Sequence, residues 1–260
     1  MKHILNLLTA LLLALHAVNV QAQESLPPLK DGKAPTNLNE LWGDYDQRKE
    51  PLETHVVREW EEGGITLRYV VFNTGVFKGK PAKLAGFYGF VKGGVRVPGI
   101  LHVHGGGQRA SLDSVRDTAR NGYACLSINW GHVKMEGAKD GDPDTDWGAL
   151  DATQNHNSHY AGGKPDAKTL DAIESPRNSK WFLLVLAARR GLTFLEQQPE
   201  VDAEKLGVTG HSIGGKITTD VAGIDKRVKA AVPSCGGAGG VSGRLSGMPG
   251  RASACRSVFR

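Results

Sequence analysis

No histidine, aspartate or glutamate follows Asp225 in this chain, although the sequence runs on to Arg260. It has three cysteines but no Cys-x-x-Cys pair, which removes the usual zinc and redox readings, and no metal is expected. The net charge of +5 is carried without a dense Lys/Arg cluster or a basic-aromatic alternation. A nucleic-acid partner is therefore not expected. The one long apolar stretch, Ile4 to Val20, is interrupted by Asn6, Thr9, His16 and Asn19. It falls short of the roughly 20 clean apolar residues of a membrane span. Headed by Lys2 and His3 and closed by Val20-Gln21-Ala22, it reads as a signal peptide over residues 1–22. The expectation is a secreted or periplasmic protein with no membrane contact after cleavage. An oxidising compartment permits one disulfide: Cys125 sits in an apolar run and reads as a buried small hydrophobe, while a Cys235–Cys255 bridge stays open.

What is present has the pattern of one large domain. Residues 23–54 are polar and carry Pro27, Pro28, Pro35 and Pro51, as expected of an extended segment that wraps a core. Residues 55–235 form that core. Its first half holds short β-branched and aromatic runs, Ile65 to Phe72, Leu84 to Val91 and Gly99 to Val103, between Gly- and Pro-marked turns. These predict antiparallel strands.

From residue 104 strands alternate with helices, which predicts an α/β fold with a mostly parallel sheet and helices on both faces. Helices are expected over Ser111–Asn121, Asn178–Gln197 and Gly214–Gly223, and strands over Ala124–Asn129, Leu206–Thr209 and Val228–Val232. Residues 131–177 make a polar insertion too long for an ordinary connection, hence a lid or an excursion. Residues 236–260 form a Gly-, Arg- and Ser-rich irregular tail. It does not read as the end of a domain.

Gly210-His211-Ser212-Ile213-Gly214 lies between a β-run and a helix, the strand-turn-helix setting of a nucleophile elbow. Glycines flank the serine there because the turn brings strand and helix close together. Ser212 is the candidate nucleophile. His104-Gly105-Gly106-Gly107 ends an earlier strand, and a glycine loop at that place can aim N–H groups at a developing oxyanion. Gly106, Gly107 and Ile213 are the candidate donors.

In the insertion, Trp130, Trp147, His156, His159 and Tyr160 offer flat and polar surfaces suited to a sugar or aryl ester. Asp140, Asp142, Asp144 and Asp146 alternate like part of a calcium loop, but Thr145 stands where that loop needs glycine. A solvated acidic loop is the plainer reading.

The glycine loop and the elbow together resemble the α/β-hydrolase superfamily, in particular secreted esterases of the acetyl xylan esterase and dienelactone hydrolase type. The resemblance covers about residues 55–235. It implies an α/β-hydrolase fold and a serine carboxylic-ester hydrolase that needs no cofactor and takes a small-molecule or carbohydrate ester. It also implies an acid and a histidine after the nucleophile. Here all nine histidines precede Ser212. The chain therefore reads as a C-terminally truncated hydrolase lacking its last strands. A prolyl oligopeptidase-like peptidase and a non-catalytic glycan-binding homologue stay open as alternatives.

Overall fold

The computed structural model describes residues 26–148 and 173–236. The expectations for residues 1–22, for His156, His159 and Tyr160 and for Cys255 lie outside them. A short helix, α1 (Leu38–Trp42), precedes four strands, β1 (His55–Glu62), β2 (Ile65–Phe77), β3 (Lys80–Val91) and β4 (Val97–Val103). Then follow α2 (Leu112–Arg120), β5 (Ala124–Asn129), α3 (Lys180–Glu196), β6 (Val201–His211), α4 (Ile213–Ile224) and β7 (Val228–Ser234).

The seven strands form one mixed sheet in the order β1-β2-β3-β5-β4-β6-β7. β1, β2 and β3 pair antiparallel, as expected for Ile65 to Phe72 and Leu84 to Val91, and β5 joins β3 antiparallel. β4, expected among the antiparallel strands, instead lies between two parallel neighbours because helical crossovers lead from it to β5 and into β6. The pairs β4–β5, β4–β6 and β6–β7 are parallel. Alternate side chains of β2 show why both faces are covered. Ile65, Leu67, Tyr69 and Val71 join the core under α2, and Val70 and Phe72 join the larger core under α3 and α4.

Local signals account for the helix limits. Ser111 caps α2 by accepting the Ser114 N–H at 3.0 Å, and Gly122 (φ 85) follows its end in the left-handed conformation that glycine tolerates. Helix α3 is buried on nearly all sides, Lys180, Arg189 and Arg190 included.

The reason is the N-terminal segment, which lies over the outer face of α3. Arg177, fully buried, donates to the carbonyls of Pro27, Glu40 and Leu41 and to the Asp44 carboxylate at 2.7 Å. Arg190 donates to the carbonyls of Gln47, Glu50, Pro51 and Asn73. Guanidinium forks thus satisfy backbone acceptors that an extended segment cannot pair by itself.

The described part of the insertion is also packed rather than open. Asp146 pairs backbone to backbone with Lys83 while its carboxylate accepts the Gly148 N–H, Asp144 accepts from Asn129 Nδ2 and the Met135 N–H, and Asp142 accepts the Lys139 N–H. The alternating carboxylates pin turns. Among the described residues no cluster could hold a metal ion. Cys125 is buried, as expected of a small hydrophobe, and no described helix is long and apolar enough to cross a membrane.

Candidate active site

The chain runs from β4 to β5 on one side and later to β6 on the other, so the sheet reverses direction at β4. In open α/β sheets such a switch opens a crevice at the carboxyl ends of the strands. Two loops meet there, residues 104–107 after β4 and the turn at Ser212 after β6. The register pairs Val103 with Gly210 and His211 with Ser234, which sets the ends of β4, β6 and β7 side by side.

Ser212 has φ 54 and ψ −116. A non-glycine residue held there stores roughly 1–3 kcal/mol of backbone strain. Its N–H donates to the Ser234 carbonyl at 2.8 Å and its carbonyl accepts the Lys216 N–H at 3.0 Å, so both peptide groups are anchored while the residue stays exposed. Among the described residues the Ser212 side chain makes no hydrogen bond.

The flanking glycines have separate causes. A Cβ on Gly214 would sit 1.9 Å from the Val103 carbonyl oxygen, and one on Gly210 would sit 2.5 Å from the same atom. On the other side, a Cβ on Gly215 would meet the Ser234 carbonyl at 2.5 Å. A Cβ on Gly236 would come within 2.1 Å of the Ser212 carbonyl oxygen. Backbone contacts wedge the elbow between β4 and β7. Gly236 and Ser234 are the residues that sequence reasoning missed. Gly236 was placed in the irregular tail, and only its position directly after a strand that neighbours the elbow hinted at a tight approach.

The glycine loop leans on the same turn. Gly106 backs onto Ile213, since a Cβ there would lie 2.6 Å from Ile213 Cδ1, and Gly107 has φ 69. The Gln108 side chain accepts the Gly105 N–H at 2.8 Å, so that donor is spent within the loop. His104 braces the loop from below: its buried ring stacks on Trp130 at 4.6 Å, and Nδ1 donates to the Gly105 carbonyl. Trp130 Nε1 in turn donates to the His104 carbonyl at 3.0 Å.

Trp130 (1% exposed) and Trp147 (3%) are thus core residues, not the open faces expected of a sugar-facing lid. The aromatic spacing was legible, but its direction depended on packing. The other histidines near the crevice are engaged elsewhere. His211, exposed, pairs through Nδ1 with Ser234 Oγ at 3.1 Å, and His102 pairs with Ser127 Oγ at 2.8 Å. Burial lowers the His102 pKa to about 4, which keeps that ring neutral near pH 7. The acids on α4 and just after it are also committed. Asp220 binds Lys216 at 2.6 Å, with burial raising its pKa against that cation, and Asp225 binds Arg189 and Arg227.

Comparison with known proteins agrees with this architecture. Residues 158–246 match the dienelactone hydrolase family. No curated protein matches the chain. Among solved structures, an acetyl xylan esterase from Paenibacillus sp. R4 is similar, with a TM-score of 0.52 and 22% identity over 72% of this chain and 54% of that one. Acetyl xylan esterase 1 from Thermoanaerobacterium sp. JW/SL YS485 is similar with a TM-score of 0.50 and 15% identity, covering 75% of this chain and 58% of that one. The fold is that of the α/β-hydrolases, and the chain spans a little over half the length of these two esterases.

Proposed function

We propose that this α/β-hydrolase chain is a secreted serine carboxylic-ester hydrolase with Ser212 as its nucleophile, acting on a small-molecule or carbohydrate ester of the acetyl xylan kind. The observation that carries the reading is the strained backbone of Ser212, φ 54 on a non-glycine residue at a strand-to-helix turn beneath a glycine loop. Such strain persists only where the surrounding structure enforces it. The likeness to two acetyl xylan esterases and the dienelactone hydrolase match support the ester class.

In this reading Ser212 Oγ attacks the ester carbonyl carbon and its proton passes to a general base. The bond from that carbon to the alcohol oxygen breaks, the alcohol leaves with a proton, and the acyl group stays on Oγ. The N–H groups of Gly106, Gly107 and Ile213 hold the oxyanion, a contribution of roughly 3–4 kcal/mol for one such donor. Water then releases the acid and restores the serine. No cofactor enters either step. The base is not assigned among the described residues, because the His102, His104 and His211 rings are held by Ser127, Trp130 and Ser234.

That same engagement favours one second reading, a non-catalytic homologue that keeps the crevice to bind a glycan. One experiment separates the two. The protein is treated with p-nitrophenyl acetate and with an alkyl fluorophosphonate, and adducts are mapped by mass spectrometry. Turnover with a phosphonyl adduct on Ser212, both lost in Ser212→Ala, is expected of the hydrolase. Turnover unchanged in that variant, or an adduct on another residue, sinks it. Glycan affinity without turnover or adduct selects the second reading.

A further inference from the structure

Among the described residues a cavity lies away from the elbow. It lies at the opposite end of β6, where Ala203 and Glu204 near the start of that strand meet the carboxyl ends of α3 and α4. With β6 running 11 residues, the two ends of the strand are on the order of 30 Å apart. The cavity holds about 340 Å³.

Its wall is built from arginines that outnumber their carboxylates. Glu196 is gripped by Arg48 at 2.7 Å and by Arg227 at 2.9 Å. Asp225 is gripped by Arg227 at 2.7 Å and by Arg189 at 3.2 Å. Three guanidinium groups therefore share two acids. Arg189 is only 6% exposed, and its Nη1 has no hydrogen-bond partner among the described residues.

Two further cations line the same space, Lys226 and Lys229, with no ion-pair partner among the described residues. The one remaining acid of the wall is Glu204. The wall thus carries an excess of two positive charges. The carboxyl ends of α3 and α4 contribute about half a negative charge each, which offsets only part of it. A pocket with a net positive wall favours anions, and two lysine ammonium groups without a carboxylate suit a compact oxyanion.

We propose that this cavity is a binding site for a small oxyanion of phosphate type, separate from the Ser212 crevice. Lys226 and Lys229 supply the unpaired charge, and Arg48, Arg189 and Arg227, held by Glu196 and Asp225, form a fixed wall behind them. The proposal is independent of the ester-hydrolase reading.

Inorganic phosphate is the probe. Isothermal titration at constant ionic strength, with sodium chloride and citrate as parallel arms, reads affinity directly. Saturable phosphate binding is expected in the full chain, weakened at least tenfold in Lys226→Ala/Lys229→Ala, whose exposed side chains can be removed without touching the core. Thermal melts report whether that variant stays folded. The single variant Glu204→Gln should tighten phosphate, because it removes the opposing charge of the wall. No saturable binding in the full chain, binding of citrate but not phosphate, or equal affinity in the double lysine variant would each overturn the assignment.

Discussion

Gly214 packs so closely on Val103 that a side-chain carbon at Gly214 would lie 1.9 Å from the Val103 carbonyl oxygen, well inside contact distance. The obstacle is backbone at the end of β4, not a movable side chain. Gly214→Ala should therefore cost the upper end of the ~1–3 kcal/mol typical of overpacking, or more. Urea unfolding measures it. A change below about 0.5 kcal/mol would mean that β4 and the turn are not held together as described.

Ser212 allows a test in the opposite direction. Its positive φ stores roughly 1–3 kcal/mol, whereas glycine at an ordinary position loses about 0.5–1 kcal/mol in chain entropy. Ser212→Gly should be more stable than the parent by about 1 kcal/mol, and Ser212→Ala should show no gain, since alanine keeps the Cβ. Equal stability of the two variants would contradict the strain.

Arg177 ties the N-terminal segment to the start of α3. Arg177→Lys loses the fork that reaches Pro27, Glu40, Leu41 and Asp44 together. A loss of about 3 kcal/mol is expected, the lower end for breaking a buried ionic group. Limited proteolysis should then cut first within residues 26–54. Unchanged cleavage would show that the segment is held by other contacts.

His102 makes stability depend on pH. Its folded pKa, lowered by burial to about 4, lies below the ordinary value near 6.5. Between those values the unfolded chain binds the proton and the folded chain does not, so stability rises with pH. The contribution is complete above about pH 6.5 and fades as pH falls towards 4. His102→Gln should flatten this slope, as read by urea midpoints from pH 4 to 7. Asp225 adds a second, more acidic loss. Burial works to raise its carboxyl, but hydrogen bonds and charge from Arg227, with Arg189, outweigh that and hold it low. Its contribution is present above the ordinary carboxylate range and disappears only in stronger acid.

Much of the site was legible in one dimension because its constraints are local. Gly210, Ser212 and Gly214 follow from the tight turn, and β5 (Ala124–Asn129) matches its expected limits because a short, mostly apolar run between Gly122 and the polar insertion leaves few alternatives. Helix α3 was found, but its burial was not. Its local sequence could not show that Arg189 and Arg190 would serve an N-terminal segment more than 130 positions away in the chain.

By itself, the sequence determined the order of strands and helices, the elbow and the glycine loop, since each depends on hydrophobic period, turn chemistry or a serine between glycines. Tertiary structure alone decided the rest. It turned Trp130 and Trp147 inward, brought Gly236 against the elbow and gathered Arg48, Arg189 and Arg227 around one cavity. These outcomes depend on which surfaces remain for each side chain once the sheet is assembled, and that is set by strand order and register rather than by any neighbouring residue.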